Sequence, residues 1–260
     1  MIETLPAILL VFIRISVFLA TAPVFSYRTI PVTFRLGGAG FLAVIVVMTM
    51  GAPHIPLSLH FIVALLLEGL IGMLLGLLAS FLLYGVHIIG GFLDLQMGFA
   101  IAGVIDPQTG IQTPLMGKYL YHFAMLLLFI TNGHYMLLDG IFYSYQFVPI
   151  GGHVDLSAGE VANYAVTVFT AMFLIAFQLA MPIVGTLFLV DLALGIVART
   201  VPQINVFVIG LPLKILVAFV ILLLVLPLFF SGIHMLSRET ASVMRHLLQL
   251  LQENLHEVTT

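Results

Sequence analysis

The chain has 260 residues, of which 62% are apolar and 7% are charged, and its formal net charge is −3. A soluble domain carries roughly 25% charged residues, so this composition excludes a soluble enzyme and indicates an integral membrane protein whose apolar surface faces lipid or apolar subunits. The chain contains no cysteine, which excludes disulfides and thiolate metal sites, and its small net charge does not suggest a nucleic-acid partner.

Six apolar segments are predicted to be membrane helices, since a helix needs about 20 apolar residues to cross a bilayer. In chain order they cover residues 5–25, 36–51, 60–93, 119–138, 161–190 and a stretch within 206–231. The third and fifth are longer than a bilayer requires, so we expect them to tilt, to kink at Pro182 or to extend beyond the membrane. The predicted fold is an all-α integral membrane protein of about six long hydrophobic helices, some of them interrupted.

The last part of the chain, 238–260, is more polar than the rest. Its apolar side chains recur at the spacing of one helical face, and polar residues such as Arg245 and Glu253 lie away from that face. The apolar positions are Val243, Leu247, Leu248, Leu251 and Leu255. We predict a hydrophobic helical domain over 1–237 and an amphipathic helix over 238–260 that packs on a partner or on the membrane surface.

Arg14 and Glu68 are charged residues in apolar surroundings. A charge inside a membrane is costly, and it usually faces a partner or a water-filled cavity. One interpretation is an ion or proton relay, and the other is a structural ion pair or a side chain that reaches the membrane surface. A relay usually needs several aligned carboxylates, so the pattern favours a structural role. Asp94, Asp191 and Lys214 lie nearer segment ends, where a structural role is favoured further.

Small residues form a helical pattern at Gly69, Gly72, Gly76 and Ser80. The last three repeat every four residues and therefore share one helix face. Small side chains let helix backbones approach closely in lipid. The pattern predicts a contact surface, either with another subunit or with a helix of the same chain.

The stretch that follows the third segment is rich in helix-breaking residues. Pro107, Gly110 and Pro114 are incompatible with a regular helix there. Irregular backbone at membrane depth is tolerated only where protein buries it or where it lines an aqueous cavity. The pattern alone favours an ordinary surface turn, and the alternative is a constriction or plug of a pore.

No pattern in the sequence predicts catalysis, a cofactor or a metal. The nine histidines make no HExxH motif, and no cluster of histidines and acids has the spacing of metal ligands. An intramembrane hydrolase needs a nucleophile–base pair or a metal site, and the sequence suggests neither. A secondary transporter of a small solute remains an alternative because of Arg14 and Glu68, although paired broken helices are missing.

Several further motifs lie in the loops and at the helix ends. The strongest block covers 195–214 and contains Arg199-Thr-Val-Pro202-Gln203-Ile-Asn205. The other motifs are Arg28-Thr-Ile-Pro31, Asp94-x-Gln96-x-Gly98, Asp106-Pro107-Gln108, Gly133-His134 and Val148-Pro149-Ile150-Gly151. In their order and spacing these motifs resemble those of the R subunit family of the flagellar type III protein export gate, and the block over 195–214 is similar to the signature loop of that family. The T subunit of virulence injectisomes is a close relative, but Val-Ile-Gly-Leu-Pro-Leu-Lys at 208–214 and Asp106-Pro107-Gln108 are more similar to the flagellar branch.

The resemblance implies a structural, protein-conducting subunit in the bacterial cytoplasmic membrane, within the flagellar basal body, with no enzymatic activity and no cofactor. Such a subunit assembles with P and Q subunits into a helical cone, and it has the B subunit and the large A-type export subunit as further partners. Unfolded flagellar rod, hook and filament subunits pass through the centre of the cone.

The resemblance also implies roles for individual residues. A plug over about 106–116 would help to close the channel, with Asp106, Pro107, Gln108, Gly110, Pro114 and Met116 as its residues. Apolar Phe99, Ile101, Val104 and Ile105 would lie near the constriction. Arg199, Pro202, Gln203, Asn205 and Lys214 would lie at the cytoplasmic entrance or at subunit contacts. The face of Gly72, Gly76 and Ser80 would more readily be a contact in an assembly.

Overall fold

The structure is a computed structural model that describes residues 4–27, 29–51, 53, 59–99, 115–152, 159–203 and 205–257. Within these ranges the regular elements are seven α-helices. They are α1 (Leu5–Thr21), α2 (Val32–Met50), α3 (Leu59–Met97), α4 (Leu115–Ile130), α5 (Gly133–Phe147), α6 (Glu160–Thr200) and α7 (Val206–Glu257). The predicted all-α class is confirmed.

Four of these helices are long and apolar enough to cross a membrane: α2, α3, α6 and the part of α7 over Val208–Glu253. The neighbouring α4 and α5 meet the same criterion only when they are taken together. The 17 residues of α1 are apolar but shorter than a full span. The protein is therefore an integral membrane protein with four such helices, or five with the α4–α5 pair, among its described residues.

The predicted fourth segment, 119–138, is wrong as a single helix. A break at Thr131 and Asn132 separates α4 from α5, and Asn132 has a left-handed backbone with φ of 58°. Asparagine tolerates this conformation better than most side chains do. The region that follows the predicted fourth segment is also helical as far as Phe147, because α5 continues through it.

Several predicted boundaries differ from the structure: α1 ends earlier, at Thr21, α2 begins earlier, at Val32, and α6 extends beyond residue 190 to Thr200. α3 continues through Gly90 and Gly91 to Met97, and it ends where Gly98 takes a φ of 86°, a conformation that glycine adopts at no steric cost. The sixth predicted segment and the predicted tail helix are one helix, α7, which contains Pro212 and Pro227.

The chain forms two compact units. The first unit contains Met1–Leu82, Asn132–Phe169 and Ser237–Thr260. Its centre is the buried face of α1, where Ala7, Leu10, Val11, Ile15 and Phe18 have no exposed surface. These positions follow the helical repeat, and Arg14 falls on the same face, so the periodicity of α1 itself directs this charge inward.

The end of α7 packs inside the first unit. Val243, Met244, Leu247, Leu248 and Leu251 are buried, and Met244 lies against Gly140. The Tyr164 hydroxyl donates a hydrogen bond to the Val243 carbonyl at 3.2 Å. The prediction that this face covers a partner or the membrane surface is wrong for these buried side chains, because the chain itself covers them. The side chain of Leu255 lies outside the described residues.

The second unit contains Leu83–Thr131 and Thr170–Leu236. In it α3 packs on α4, where the rings of His87 and Tyr121 stack with centroids 4.2 Å apart. Edge-on contacts of Phe92 with Phe173 and Phe177, with centroids 6.4 and 5.9 Å apart, join α3 to α6. These aromatic contacts supply directional packing in addition to apolar burial.

Candidate functional site

Arg14 and Glu68 form an ion pair in the interior of the first unit. The Arg14 Nε donates to a Glu68 carboxylate oxygen, and the two side chains are 0% and 2% exposed. The Arg14 Nη1 donates to the Ser144 hydroxyl at 3.0 Å, and both terminal nitrogens donate to the Val148 carbonyl at 3.1 Å. The guanidinium also lies over the Tyr145 ring, 4.2 Å from its centroid.

The partners of Glu68 complete this cluster. Its second carboxylate oxygen accepts a hydrogen bond from the backbone N–H of Gly151 at 2.9 Å, and the Tyr145 hydroxyl donates to the Val11 carbonyl at 3.3 Å. The cluster therefore joins α1, α3, α5 and the turn after α5 through a buried pair. Each carboxylate oxygen and each guanidinium nitrogen has a partner, as a buried ion pair requires.

This geometry favours a structural pair over a relay. A proton relay needs a chain of titratable groups, whereas the pair is surrounded by a hydroxyl, a phenol ring and backbone groups. Sequence reasoning missed Ser144 and Tyr145, which contact the pair from α5. The only sequence signal near them was the Val148-Pro149-Ile150-Gly151 motif, whose first carbonyl and last N–H are the groups that bind Arg14 and Glu68.

The glycine face of α3 lies against α1 of the same chain. A Cβ atom at Gly72 would overlap the backbone carbonyl of Arg14, and one at Gly76 would overlap the side chain of Thr21. The Ser80 hydroxyl donates to the Thr21 carbonyl at 2.6 Å, and a Cβ atom at Gly69 would lie 3.4 Å from the Ile13 side chain. This placement favours packing within the chain over a subunit interface for these four residues.

Phe99, predicted for the constriction, and Met116, predicted for the plug, lie in the second unit. Phe99 is half-buried just after α3, and Met116 is buried in the first turn of α4. The Asp94 carboxylate accepts hydrogen bonds from the backbone N–H groups of Met116 and Gly117. The remaining residues predicted for the plug and constriction lie outside the described residues: Ile101, Val104, Ile105, Asp106, Pro107, Gln108, Gly110 and Pro114.

The signature residues lie between and within α6 and α7. The predicted residues Arg199, Pro202, Gln203 and Asn205 are exposed. Lys214 forms an ion pair with Asp191. Both residues line a cavity of about 220 Å³ together with Gly98, Leu194, Gly195, Val206, Gly210 and Leu211.

Among the described residues, no group of three or more histidine, aspartate or glutamate side chains is placed to hold a metal ion.

Comparison of the sequence with known proteins identifies the family of this chain. Residues 5–240 match the family of bacterial export proteins, family 1. The chain is 47% identical over 252 residues to the flagellar biosynthetic protein FliR of Bacillus subtilis (strain 168). The aligned residues cover 96% of this chain and 97% of that protein. It is 30% identical to FliR of Escherichia coli (strain K12), over 83% of this chain and 82% of the relative.

A relative with another name is also similar to this chain. The surface presentation of antigens protein SpaR of Salmonella typhimurium is 30% identical to this chain over 214 residues, which are 80% of each protein. The family match over residues 5–240 includes α1, α3 and the signature loop. This chain therefore belongs to the bacterial export proteins, family 1.

Proposed function

We propose that the chain is a structural, protein-conducting subunit of the flagellar type III export gate in the bacterial cytoplasmic membrane, through which unfolded flagellar subunits leave the cell. The observation that carries this proposal is the 47% identity to a flagellar biosynthetic protein over nearly the full length of both chains. No enzymatic step is part of the proposal. The flagellar basal body is its proposed location.

The length of the apolar surface on α6 supports assembly with other subunits. Exposed apolar side chains extend along this helix from Val166, which is 64% exposed, to Ile196, which is 65% exposed. Thirty residues of helix rise about 45 Å, whereas the hydrocarbon core of a bilayer is about 30 Å thick. Lipid alone would cover this length only if the helix tilted, bent at Pro182 or extended beyond the bilayer. Apolar partner subunits are the other environment that would cover the exposed apolar side chains of α6.

The partners follow from the proposed gate. They are the P and Q subunits, which would pack along the exposed apolar helices, and the B subunit and the large A-type export subunit. Unfolded flagellar substrates would pass through the assembly. Arg199, Pro202, Gln203 and Asn205 are exposed and are proposed as subunit or entrance contacts, together with Lys214.

Purification in mild detergent tests the assembly. We expect a tagged chain, expressed with the other flagellar export genes of its host, to co-purify with two other small apolar membrane proteins in one large complex, as measured by native mass spectrometry. Exposed apolar surface on a lone chain would otherwise aggregate. A stable monomer that takes up a small solute in vesicles would contradict the gate and support the transporter alternative.

The injectisome T subunit is a second candidate because SpaR is 30% identical over 80% of the chain. The higher identity to a flagellar protein favours the flagellar branch. Expression in a flagellated strain that lacks its own R subunit distinguishes the two. Restored swimming supports the flagellar proposal, and restored effector secretion in an injectisome mutant without restored swimming supports the alternative.

A shortened loop tests the proposed plug. Removal of residues 106–113 spares Met116 and Gly117, whose N–H groups bind Asp94, so α4 keeps its start. We expect the assembled complex to form and to conduct ions at several times the wild-type rate, because a plug blocks a path that is otherwise open. The measurement is potassium efflux from vesicles that contain the complex. Wild-type efflux from an intact complex would contradict the plug assignment.

A further inference from the structure

The end of α3 and the start of α4 meet at one place in the second unit. α3 ends at Met97, and α4 begins at Leu115. Asp94, in the last turn of α3, accepts a hydrogen bond from the Met116 N–H at 3.1 Å to each carboxylate oxygen. The Gly117 N–H lies 3.5 Å from the same carboxylate.

These N–H groups are among the ones that a helix cannot satisfy by itself. The first four N–H groups of α4 have no carbonyl partner within the helix, and a carboxylate is favoured at this end because the helix dipole is positive there. Asp94 is 5% exposed, so its charge is withdrawn from solvent and depends on these charge-assisted hydrogen bonds. Asp94 therefore caps α4 from a different helix.

A second contact holds the same turn. Gly90 lies one turn before Asp94 on the same face of α3, and a Cβ atom there would overlap the Cα and N atoms of Gly117. The two backbones are in direct contact at this point. Further along the same face, His87 stacks on Tyr121. Positions 87, 90 and 94 thus follow the helical repeat and meet the first two turns of α4 in order.

We propose that Asp94 is a positioning residue that, together with the close approach at Gly90, clamps the first turn of α4 to the last turns of α3. The clamp fixes the distance between the end of α3, at Met97, and the start of α4, at Leu115. The clamp rests on the geometry alone, and only its link to ion conduction rests on the proposed function.

Hydrogen exchange in the purified complex tests the clamp. Asp94→Asn keeps the size of the side chain but removes the charge and one acceptor oxygen. We expect the amides of a peptide over 115–121 to exchange about tenfold faster than in the wild type, because hydrogen bonds to charged groups are the stronger ones. The matched control is Asp139→Asn, which changes an exposed aspartate of α5. We expect this variant to exchange at the wild-type rate over 115–121. Unchanged exchange in Asp94→Asn would overturn the clamp.

A second variant keeps the test decisive if Asp94→Asn fails to assemble. Gly90→Ala retains the carboxylate but places a methyl group against the Gly117 backbone, and we expect faster exchange over the same peptide. Wild-type exchange in this variant would overturn the close approach.

Ion efflux separates the clamp from the proposed function. In vesicles, we expect Asp94→Asn to raise potassium efflux several-fold, with Asp139→Asn at the wild-type level. Faster exchange with wild-type efflux would overturn the link between the clamp and conduction. Failure of the proposed plug has a different signature, because removal of residues 106–113 would then leave efflux unchanged as well, and failure of the gate would appear as a chain that purifies without partner subunits.

Discussion

Glu68→Ala is expected to lower the free energy of unfolding by about 3–5 kcal/mol, the cost of leaving one partner of a buried ion pair unpaired. Arg14 is 0% exposed and Glu68 is 2% exposed, so water cannot replace the missing carboxylate. The Gly151 N–H also loses its acceptor. Equilibrium unfolding in detergent by added SDS, followed by circular dichroism, measures the effect.

Two controls identify the cause of this loss. Glu253→Ala removes an exposed carboxylate from α7 and is expected to change stability by less than about 0.5 kcal/mol. The double variant Arg14→Met with Glu68→Leu removes both charges, and it is expected to recover much of the stability lost in Glu68→Ala, because apolar side chains replace buried ion pairs at little net cost. A double variant as unstable as the single one would contradict a cost from the unpaired charge.

Glu68→Gln separates the structural role from the relay. Glutamine retains an oxygen that can accept from Gly151, but it cannot carry a proton between groups. If the pair is structural, protein export in the variant is expected to fall only in proportion to the amount of assembled complex. Full assembly without export would favour the relay.

Gly72→Ala is expected to destabilise the protein by about 1–3 kcal/mol, the usual cost of overpacking a closely packed site. The added methyl group would overlap the backbone carbonyl of Arg14, and a backbone has no rotamer with which to move away. The shift would also displace Arg14 from Glu68, so the two effects are coupled.

Gly91→Ala is the matched control because it makes the same change in the same helix. A Cβ atom at Gly91 meets nothing within 4 Å, and alanine is favoured over glycine in a helix by about 1 kcal/mol. We expect this variant to be as stable as the wild type or more stable, in the same SDS titration. Equal losses in Gly72→Ala and Gly91→Ala would contradict the contact with α1 as the cause of the effect.

The sequence predicted where helices occur more accurately than the residues at which they begin and end. The apolar runs behind α2, α3 and α6 are local properties, so composition and periodicity were sufficient to find them. The break at Thr131 and Asn132 was missed because neither residue is a strong helix breaker. The end of α3 was placed too early, at residue 93, because the next residue, Asp94, is charged, whereas Asp94 is buried in the last turn of α3 and binds the start of α4.

The candidate site was predicted residue by residue but not as a set of partners. Arg14 and Glu68 were recognised as costly charges, and the glycine face was recognised as a contact. The role of Asp94 was not found, because its partners are backbone N–H groups of Met116 and Gly117, which have no signature in side-chain chemistry. Sequence patterns reflect the chemistry of side chains, and they contain almost no information about backbone contacts between helices.

By itself, the sequence determined that this is a helical membrane protein, that Arg14 and Glu68 are charges in apolar surroundings, and which family its loop motifs resemble. Hydropathy and the helical repeat depend on residues one or two helical turns apart, so the sequence alone reveals them. Only the tertiary structure decided that Arg14 meets Glu68, 54 residues away, that the glycine face packs on α1, and that the end of α7 returns to the first unit. These pairings depend on which helix faces become neighbours, and many weak packing contacts across the whole fold decide that together.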